Sequence, residues 1–254
     1  MRIVRFEAGG SVSYGVLEEN RIKCIQGLPY EHLAFTGEEY AAADVRLMAP
    51  SEPQKIIAVG LNYLSHAKEI NMEIPQVPLL FFKPPSAVIG PDDEIVRPMQ
   101  SNQVEYEAEL ALVIRKTGKF IPEDQAADYI FGYTCLNDVT ARDLQFKESQ
   151  WARSKGFDTF CPLGPWIETH YNWRGKRIKA ILNDTVKQDA NTGDFINSVE
   201  KLVSYISTIM TLQPGDIIST GTAGGIGPMV AGDTISIEIE GIGVLKNSVI
   251  DGQR

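Results

Sequence analysis

EYEAELALVI, residues 105–114, predicts a β-strand that begins with a row of acidic residues. Alternate side chains of a strand point to the same face, so Glu105, Glu107 and Glu109 are expected to project together. Like charges on one face repel each other, and a carboxylate buried without a partner is costly or becomes neutral. The row therefore predicts either a divalent cation or a solvated strand edge where Lys or Arg pairs with the acids.

The composition of the 254-residue chain is that of a globular protein with a net charge of −9. Lys and Arg are scattered, so we expect no nucleic-acid partner, although a local cationic pocket for an anionic substrate remains compatible with this pattern. Cys24, Cys135 and Cys161 lack metal-site spacing. The sequence begins with no leader pattern and has no apolar run of bilayer length, so we expect a reduced, cytoplasmic protein without a membrane partner.

Two parts of the chain are expected to fold as separate domains, both rich in β-structure. Residues 1–50 predict a small N-terminal β domain, because Gly9-Gly10 separates two strand-like segments and offers a hairpin turn. Pro50 and Pro53 mark the boundary, and residues 51–254 are expected to form the second domain, which carries the candidate site residues. We expect the first domain to serve in packing or dimer contact.

Polar residues follow two apolar segments before the acidic row. His66 and Glu69 come after the strand-like residues 55–63 at a spacing that places both on one helix face. The pair is either a proton-transfer dyad or an ordinary surface contact. Lys83 ends the strand-like residues 79–83, and it either faces an anionic ligand or is solvated.

A further acid follows the acidic row at the end of another apolar strand. Asp138, together with Glu107 and Glu109, would complete an all-oxygen site. Such a site suits Mg²⁺, Mn²⁺ or Ca²⁺ better than zinc, since no His or Cys accompanies it. Arg142 and Gln145 follow at helical spacing and either contact substrate oxygens or, for Arg142, form a local ion pair with Asp138.

The second half of the chain adds a cation, a helix and a glycine-rich turn. Lys155 is the best-placed cation of the Gly- and Pro-rich loop 151–166. Asn197 and Glu200 predict a capping box for an amphipathic helix. We expect the core face of that helix to comprise Val199, Leu202, Val203, Ile206, Ile209 and Met210.

Residues 216–227 predict a strand and a glycine-rich turn that lacks the P-loop and dinucleotide-binding patterns. Its glycines would allow main-chain N–H groups to approach a small anion. Residues 234–250 predict a closing hairpin.

Taken in order, these segments resemble the fumarylacetoacetate hydrolase superfamily, and the resemblance covers residues 53–250. It implies a mainly β (α+β) fold, in which a mixed β-sandwich or β-roll is joined to a small N-terminal β domain, and a homodimer. The motifs that carry it are VGLNY (59–63) with His66 and Glu69, FKP (82–84), YEAEL (106–110), NDVTARDLQ (137–145), KGFD (155–158) and TGT (220–222).

The resemblance also implies a role for each candidate site residue. Glu107, Glu109 and Asp138 would be the ligands of Mg²⁺ or Mn²⁺, with Ca²⁺ a further candidate, whereas Glu105 would not bind the ion directly. The catalytic group would comprise His66, Glu69 and Lys155, and the substrate would contact Lys83, Arg142, Gln145 and Thr222. Ala223 departs from the family pattern, in which Pro often stands.

The implied chemistry is that of a metal-dependent enzyme acting on an enolisable 2-oxo acid through an enolate that the cation stabilises. The resemblance favours carbon–carbon bond hydrolysis of an acylpyruvate. The alternatives are decarboxylation, or enol–keto tautomerisation or isomerisation, of an oxaloacetate-like or 2-hydroxy-dienedioate substrate. A non-catalytic, metal-stabilised binding protein is the alternative of a different class.

Overall fold

The structure is a computed structural model that describes residues 1–30, 33–69 and 73–253. The side chains of His66 and Glu69, the predicted dyad, lie outside the described part. The fold is mainly β, as predicted. The strands are β1 Arg2–Ala8, β2 Ser11–Glu18, β3 Arg21–Ile25, β4 Phe35–Ala41, β5 Arg46–Met48, β6 Ile56–Gly60, β7 Leu79–Lys83, β8 Val88–Ile89, β9 Glu94–Arg97, β10 Val104–Tyr106, β11 Ala108–Ile114, β12 Ile130–Asn137, β13 Thr140–Ala141, β14 Cys161–Glu168, β15 Arg177–Leu182, β16 Thr185–Asn191, β17 Ile217–Thr222, β18 Gly227–Pro228, β19 Thr234–Ile239 and β20 Gly243–Asp251.

The α-helices of the described part are short, and none of them is long and apolar enough to cross a membrane. Among the described residues, four further segments form single turns or short runs of 3₁₀-helix at Ala42–Asp44, Pro85–Ala87, Glu123–Tyr129 and Thr192–Asp194. The α-helices are α1 Leu64–Glu69, α2 Arg142–Lys147, α3 Ala152–Lys155 and α4 Val199–Ile209.

The main sheet has twelve strands, ten of them in the order β4-β3-β2-β1-β14-β12-β11-β17-β6-β7. The remaining two, β5 and β8, pair with β1 and β14. The N-terminal hairpin of β1 and β2 forms as predicted, and β1 then continues the sheet by pairing Ile3 with Ile167 of β14. The strands of residues 1–50 therefore extend the main sheet, while their separation as a domain stays a prediction.

The second layer is a five-stranded sheet, β16-β15-β19-β20-β9, which includes the predicted closing hairpin. The central strand β11 is buried on both faces. Leu110 and Leu112 pack in one core with Ile237 of the second sheet, and Ala111 and Val113 pack in another core. Because both faces are covered, the sequence of β11 is a continuous apolar run instead of an alternating pattern.

The acidic row does not lie on one continuous strand, and that expectation is wrong. The chain divides at Glu107 into β10, which belongs to a separate three-stranded sheet, and β11. At the division the Asn137 side chain accepts the hydrogen bond of the Glu107 N–H at 2.9 Å, so a side chain replaces a strand partner. Glu105 is consequently held in a different sheet from Glu109.

The N-cap of helix α4 lies one residue after Asn197, the predicted cap. Ser198 is the N-cap, and its hydroxyl accepts a hydrogen bond from the Lys201 N–H. The predicted Asn197–Glu200 capping box is therefore wrong by one residue. The predicted core face is also too wide, because Ile209 is 52% exposed at the last turn of the helix.

Candidate metal and substrate site

A cavity of about 400 Å³ lies where several chain segments leave the main sheet. Its floor carries Glu107, Glu109 and Asp138, which meet because the start of β11 pairs with the end of β12. Ala108 stands opposite Asn137 in that antiparallel register. The three acids are buried, and each offers a carboxylate oxygen within 4.8 Å of those of the other two.

Two buried lysines offset part of this negative charge. The Lys155 Nζ donates to Glu107 Oε2 at 2.8 Å and to Asp138 Oδ2 at 2.6 Å. The Lys83 Nζ donates to Asp138 Oδ1 at 2.6 Å and to two carbonyl oxygens, those of Val139 and Lys155. Charged hydrogen bonds of this length in a buried setting hold the carboxylates in defined positions.

Glu105 pairs with Arg142, and the sequence did not reveal this pairing. The Arg142 Nε donates to Glu105 Oε2 at 2.7 Å, and Gln103 Nε2 donates to Glu105 Oε1 at 2.6 Å. The other guanidinium nitrogens of Arg142 donate to Glu107 and Gln145. Glu105 therefore orients the arginine that supports Glu107, while the expectation that Glu105 does not bind the ion directly stays a prediction.

Burial and charge change the pKa values of the acids in opposite directions. Burial alone would raise the pKa of Glu107, but Lys155 and Arg142 lower it to about 2. For Glu109, burial and the charges of Asp138 and Glu107 raise the pKa to about 8, despite the hydrogen bond from Ser219. Glu109 is thus the acid whose charge the protein compensates least.

The three acids fit a divalent cation. Among the described residues, the hydrogen bonds to Glu109 all reach Oε2, from Ser219 Oγ and from the Gly221 N–H at 2.8 Å, so Oε1 is left for a further partner. An all-carboxylate donor set is typical of sites for hard ions such as Mg²⁺ and Mn²⁺. A cation would also remove the cost of ionising Glu109.

The other predicted site residues lie in three different settings. Lys155, Arg142, Gln145 and Thr222 line the cavity. Lys83 lies behind Asp138 with a side chain that is 0% exposed, outside the cavity lining among the described residues. This placement makes Lys83 a support for Asp138 instead of a group that reaches the cavity. His66 and Glu69 are on α1, and their predicted roles stay predictions.

Gln188 is a supporting residue that the sequence reasoning missed. It is 2% exposed on β16 of the second sheet, and its Nε2 donates to Thr222 Oγ1 at 2.9 Å and to Ala223 O at 2.7 Å. Its Oε1 accepts from the Ala108 N–H at 2.9 Å. In sequence, Gln188 stands in a polar strand and resembles a solvated residue, so only the contact between the sheets identifies it.

Asn62 is the second missed residue, and it joins three segments near the cavity. Its Nδ2 donates to Thr220 O at 2.8 Å and its Oδ1 accepts from the Asn197 N–H at 2.8 Å. The preceding residue, Leu61, lines the cavity with a φ of 54°, a conformation that is uncommon for a residue with a side chain. The asparagine contacts hold this turn in place.

Both parts of the chain match known protein families. Residues 55–250 match the family described as Fumarylacetoacetate (FAA) hydrolase C-terminal, and residues 1–50 match the family described as Rv2993c-like, N-terminal. The human protein named oxaloacetate tautomerase FAHD2A, mitochondrial, is 40% identical over 221 residues, which cover 82% of this chain and 70% of that protein.

Two solved structures are similar along nearly the whole chain. The 5-carboxymethyl-2-hydroxymuconate delta-isomerase from Mycobacterium smegmatis is 42% identical with a TM-score of 0.95, and the match covers 99% of this chain and 100% of that one. The maleylpyruvate hydrolase from Sphingobium sp. SYK-6, solved with manganese (II) ion and pyruvate, is 33% identical with a TM-score of 0.82 and 100% coverage of both chains.

Proposed function

The chain belongs to the fumarylacetoacetate (FAA) hydrolase family of enzymes, and we propose that it hydrolyses a carbon–carbon bond of an acylpyruvate with the help of Mg²⁺ or Mn²⁺. The observation that carries the proposal is the convergence of Glu107, Glu109 and Asp138 on the floor of a cavity. The manganese and pyruvate in the structure of the maleylpyruvate hydrolase support it, because pyruvate is the fragment that acylpyruvate hydrolysis would release.

The residues of the floor suit the head group of a 2-oxo acid. A divalent cation held by the three acids would supply a Lewis acid for the carboxylate and 2-oxo oxygens of the substrate. Lys155 lines the cavity beside two of those acids, so its ammonium group can also donate to an oxygen that gains negative charge. Thr222, which Gln188 holds in place, lines the same cavity, and we expect its segment to lie against the substrate carboxylate, as the sequence predicts.

The hydrolysis requires water at the second carbonyl group of the substrate. The water oxygen bonds to the acyl carbon, the bond from that carbon to the methylene carbon breaks, and its electron pair remains on the pyruvate fragment as an enolate. A proton then adds to the methylene carbon, so the products are a carboxylic acid and pyruvate. We expect His66 and Glu69 to prepare the water and move the proton, as the sequence predicts.

Tautomerisation of oxaloacetate is the second candidate, favoured by the identity with the human oxaloacetate tautomerase. It would use the same floor and would differ only in the fate of the enolate, which is reprotonated without attack by water. Decarboxylation of an oxaloacetate-like acid and isomerisation of a 2-hydroxy-dienedioate remain alternatives on the same residues. The cytoplasmic location and the homodimer remain predictions of the sequence.

The proposal is tested by removing the cation and one of its ligands. EDTA treatment and Glu107→Gln should each abolish turnover of acylpyruvates and oxaloacetate, and added Mg²⁺ or Mn²⁺ should restore activity only to the unmutated protein. Glu94→Gln, which changes an exposed acid outside the site, serves as the matched control. Full activity in metal-free buffer would exclude the proposed chemistry, and no turnover of any of these acids with metal bound would favour a non-catalytic binding protein.

A further inference from the structure

The wall of the cavity differs in character from its acidic floor. Apart from the acids and the polar residues Arg142, Gln145, Lys155 and Thr222, the lining consists mostly of apolar side chains, three of them aromatic. A substrate whose 2-oxo acid head group lies on the floor must extend its remaining part along this wall. The apolar side chains that matter for its recognition are Leu61, Leu79, Phe81, Phe146, Trp151 and Ile226.

The apolar surface begins at the floor and continues to the cavity mouth. The Lys155 Nζ lies 5.0 Å from the centre of the Phe81 ring, so Phe81 adjoins the polar floor. The Trp151 ring packs edge-on against Phe81 with their centres 5.2 Å apart. Leu79 is 40% exposed and Phe146 is 81% exposed, which places them at the open side.

The described lining offers no unpaired cation to a second substrate carboxylate. Its basic residues are Arg142 and Lys155, and both donate to acids of the floor or its support. A carboxylate on the outer part of a substrate would therefore lose water without gaining a charged partner, whereas an apolar group would gain from burial. The volume of about 400 Å³ leaves room for such a group, since pockets for small molecules begin at about 300 Å³.

We propose that the substrate is a 2-oxo acid with an apolar tail, either aromatic or a branched or straight alkyl chain, and that Phe81 and Trp151 select it. The inference rests on the proposed function for the head group and adds the chemistry of the tail. It predicts a preference for such acids over dicarboxylates, whose second carboxylate would meet no unpaired cation among the described lining residues.

The first test compares substrates that differ only in the tail. With Mn²⁺ bound, kcat/KM should increase from acetylpyruvate to butanoylpyruvate and benzoylpyruvate, with a gain of about tenfold or more for the largest tail. Fumarylpyruvate and oxaloacetate, which carry a second carboxylate, should be poorer substrates than benzoylpyruvate. Higher kcat/KM for the dicarboxylates would overturn the inference while leaving the proposed function intact.

The second test changes the wall. Phe81→Ala should raise KM for benzoylpyruvate by about tenfold and KM for acetylpyruvate much less, because a phenyl tail packs against the ring over a larger apolar area than a methyl group does. Phe82→Ala is the matched control, since Phe82 is the adjacent residue of β7, is 50% exposed and lies outside the described lining. An equal loss for both substrates with Phe81→Ala would indicate a structural role and contradict the inference.

A binding experiment tests the preference for an apolar tail even if the protein hydrolyses none of the acylpyruvates. Calorimetric titration of the Mn²⁺-loaded protein would compare 4-phenyl-2-oxobutanoate with 2-oxoglutarate, which share the head group and differ in the tail. Tighter binding of the phenyl compound by about tenfold or more supports the inference even if the proposed reaction fails. Equal or tighter binding of 2-oxoglutarate refutes it. Leu79→Lys should narrow or reverse the preference, because it places a cation at the open side of the wall.

Discussion

Replacing Glu109 with Gln should stabilise the metal-free protein. Gln keeps an oxygen that can accept the hydrogen bonds from Ser219 and Gly221. The replacement removes an acid whose pKa burial and the neighbouring charges of Asp138 and Glu107 raise to about 8. Ionising this buried acid costs free energy in the metal-free protein, so a neutral residue at the same position removes that cost.

The size of this stabilisation follows from the pKa of Glu109, which is about 8 in the folded protein and ordinarily 4.5. Because the folded protein binds this proton more tightly, stability is lost as pH rises from 4.5 to about 8. At about pH 7 the cost is roughly 3 kcal/mol, since each pKa unit corresponds to about 1.4 kcal/mol. The free energy of unfolding of Glu109→Gln should exceed that of the unmutated protein by up to that amount.

Urea unfolding in EDTA at about pH 5 and about pH 8 measures the effect. The two proteins should be similar at the lower pH, and the variant should be more stable at the higher pH. Added Mn²⁺ should then stabilise the unmutated protein more than the variant. Glu105→Gln is the control, because Glu105 already has Arg142 as its partner and its replacement should not stabilise the protein. A Glu109→Gln variant that is less stable at about pH 8 would refute the reasoning.

Three further predictions concern residues around the site. Gly221→Ala should lower the free energy of unfolding in urea more than Gly232→Ala does. The two glycines have nearly the same φ angle, 91° and 92°, but only a Cβ at residue 221 would meet a main-chain oxygen, at 2.9 Å. Equal losses of stability in the two variants would contradict a steric cause. Lys83→Met should lower the free energy of unfolding by about 3–5 kcal/mol, because it leaves the buried Asp138 without one of its cations, and a loss below about 1 kcal/mol would contradict this role. His66→Ala should slow acylpyruvate hydrolysis far more than enol–keto exchange, measured on the same metal-loaded protein; equal losses would argue against water activation.

Chemistry that depends on residue type and local order can be predicted from the sequence. Asp138 is identifiable as a candidate companion of Glu107 and Glu109 because it ends an apolar strand, would complete an all-oxygen site and lies in a motif that resembles one family. The hairpin at Gly9-Gly10 is predictable because its turn chemistry is local. The apolar stripe of α4 predicts the helix, but it does not fix the N-cap, which is Ser198 instead of Asn197, or the burial of Ile209 in the last turn.

The supports of the site could not be predicted, because each comes from a residue distant in sequence. Gln188 reaches Thr222 from the second sheet, and Arg142 binds Glu105 across 37 residues. In sequence such polar residues resemble solvated ones, and only the packing of the sheets decides which are buried.

The sequence by itself identified Glu107, Glu109 and Asp138 as candidate ligands of one cation, because each stands beside an apolar segment and the motifs around them resemble those of one family. The tertiary structure decided how their charge is divided. Lys83 and Lys155 both pair with Asp138, and Lys155 also pairs with Glu107. Glu109 has no such cationic partner among the described residues, and its pKa is raised. The physical reason is that electrostatic interaction and burial depend on distance in space, which the order of residues along the chain does not contain.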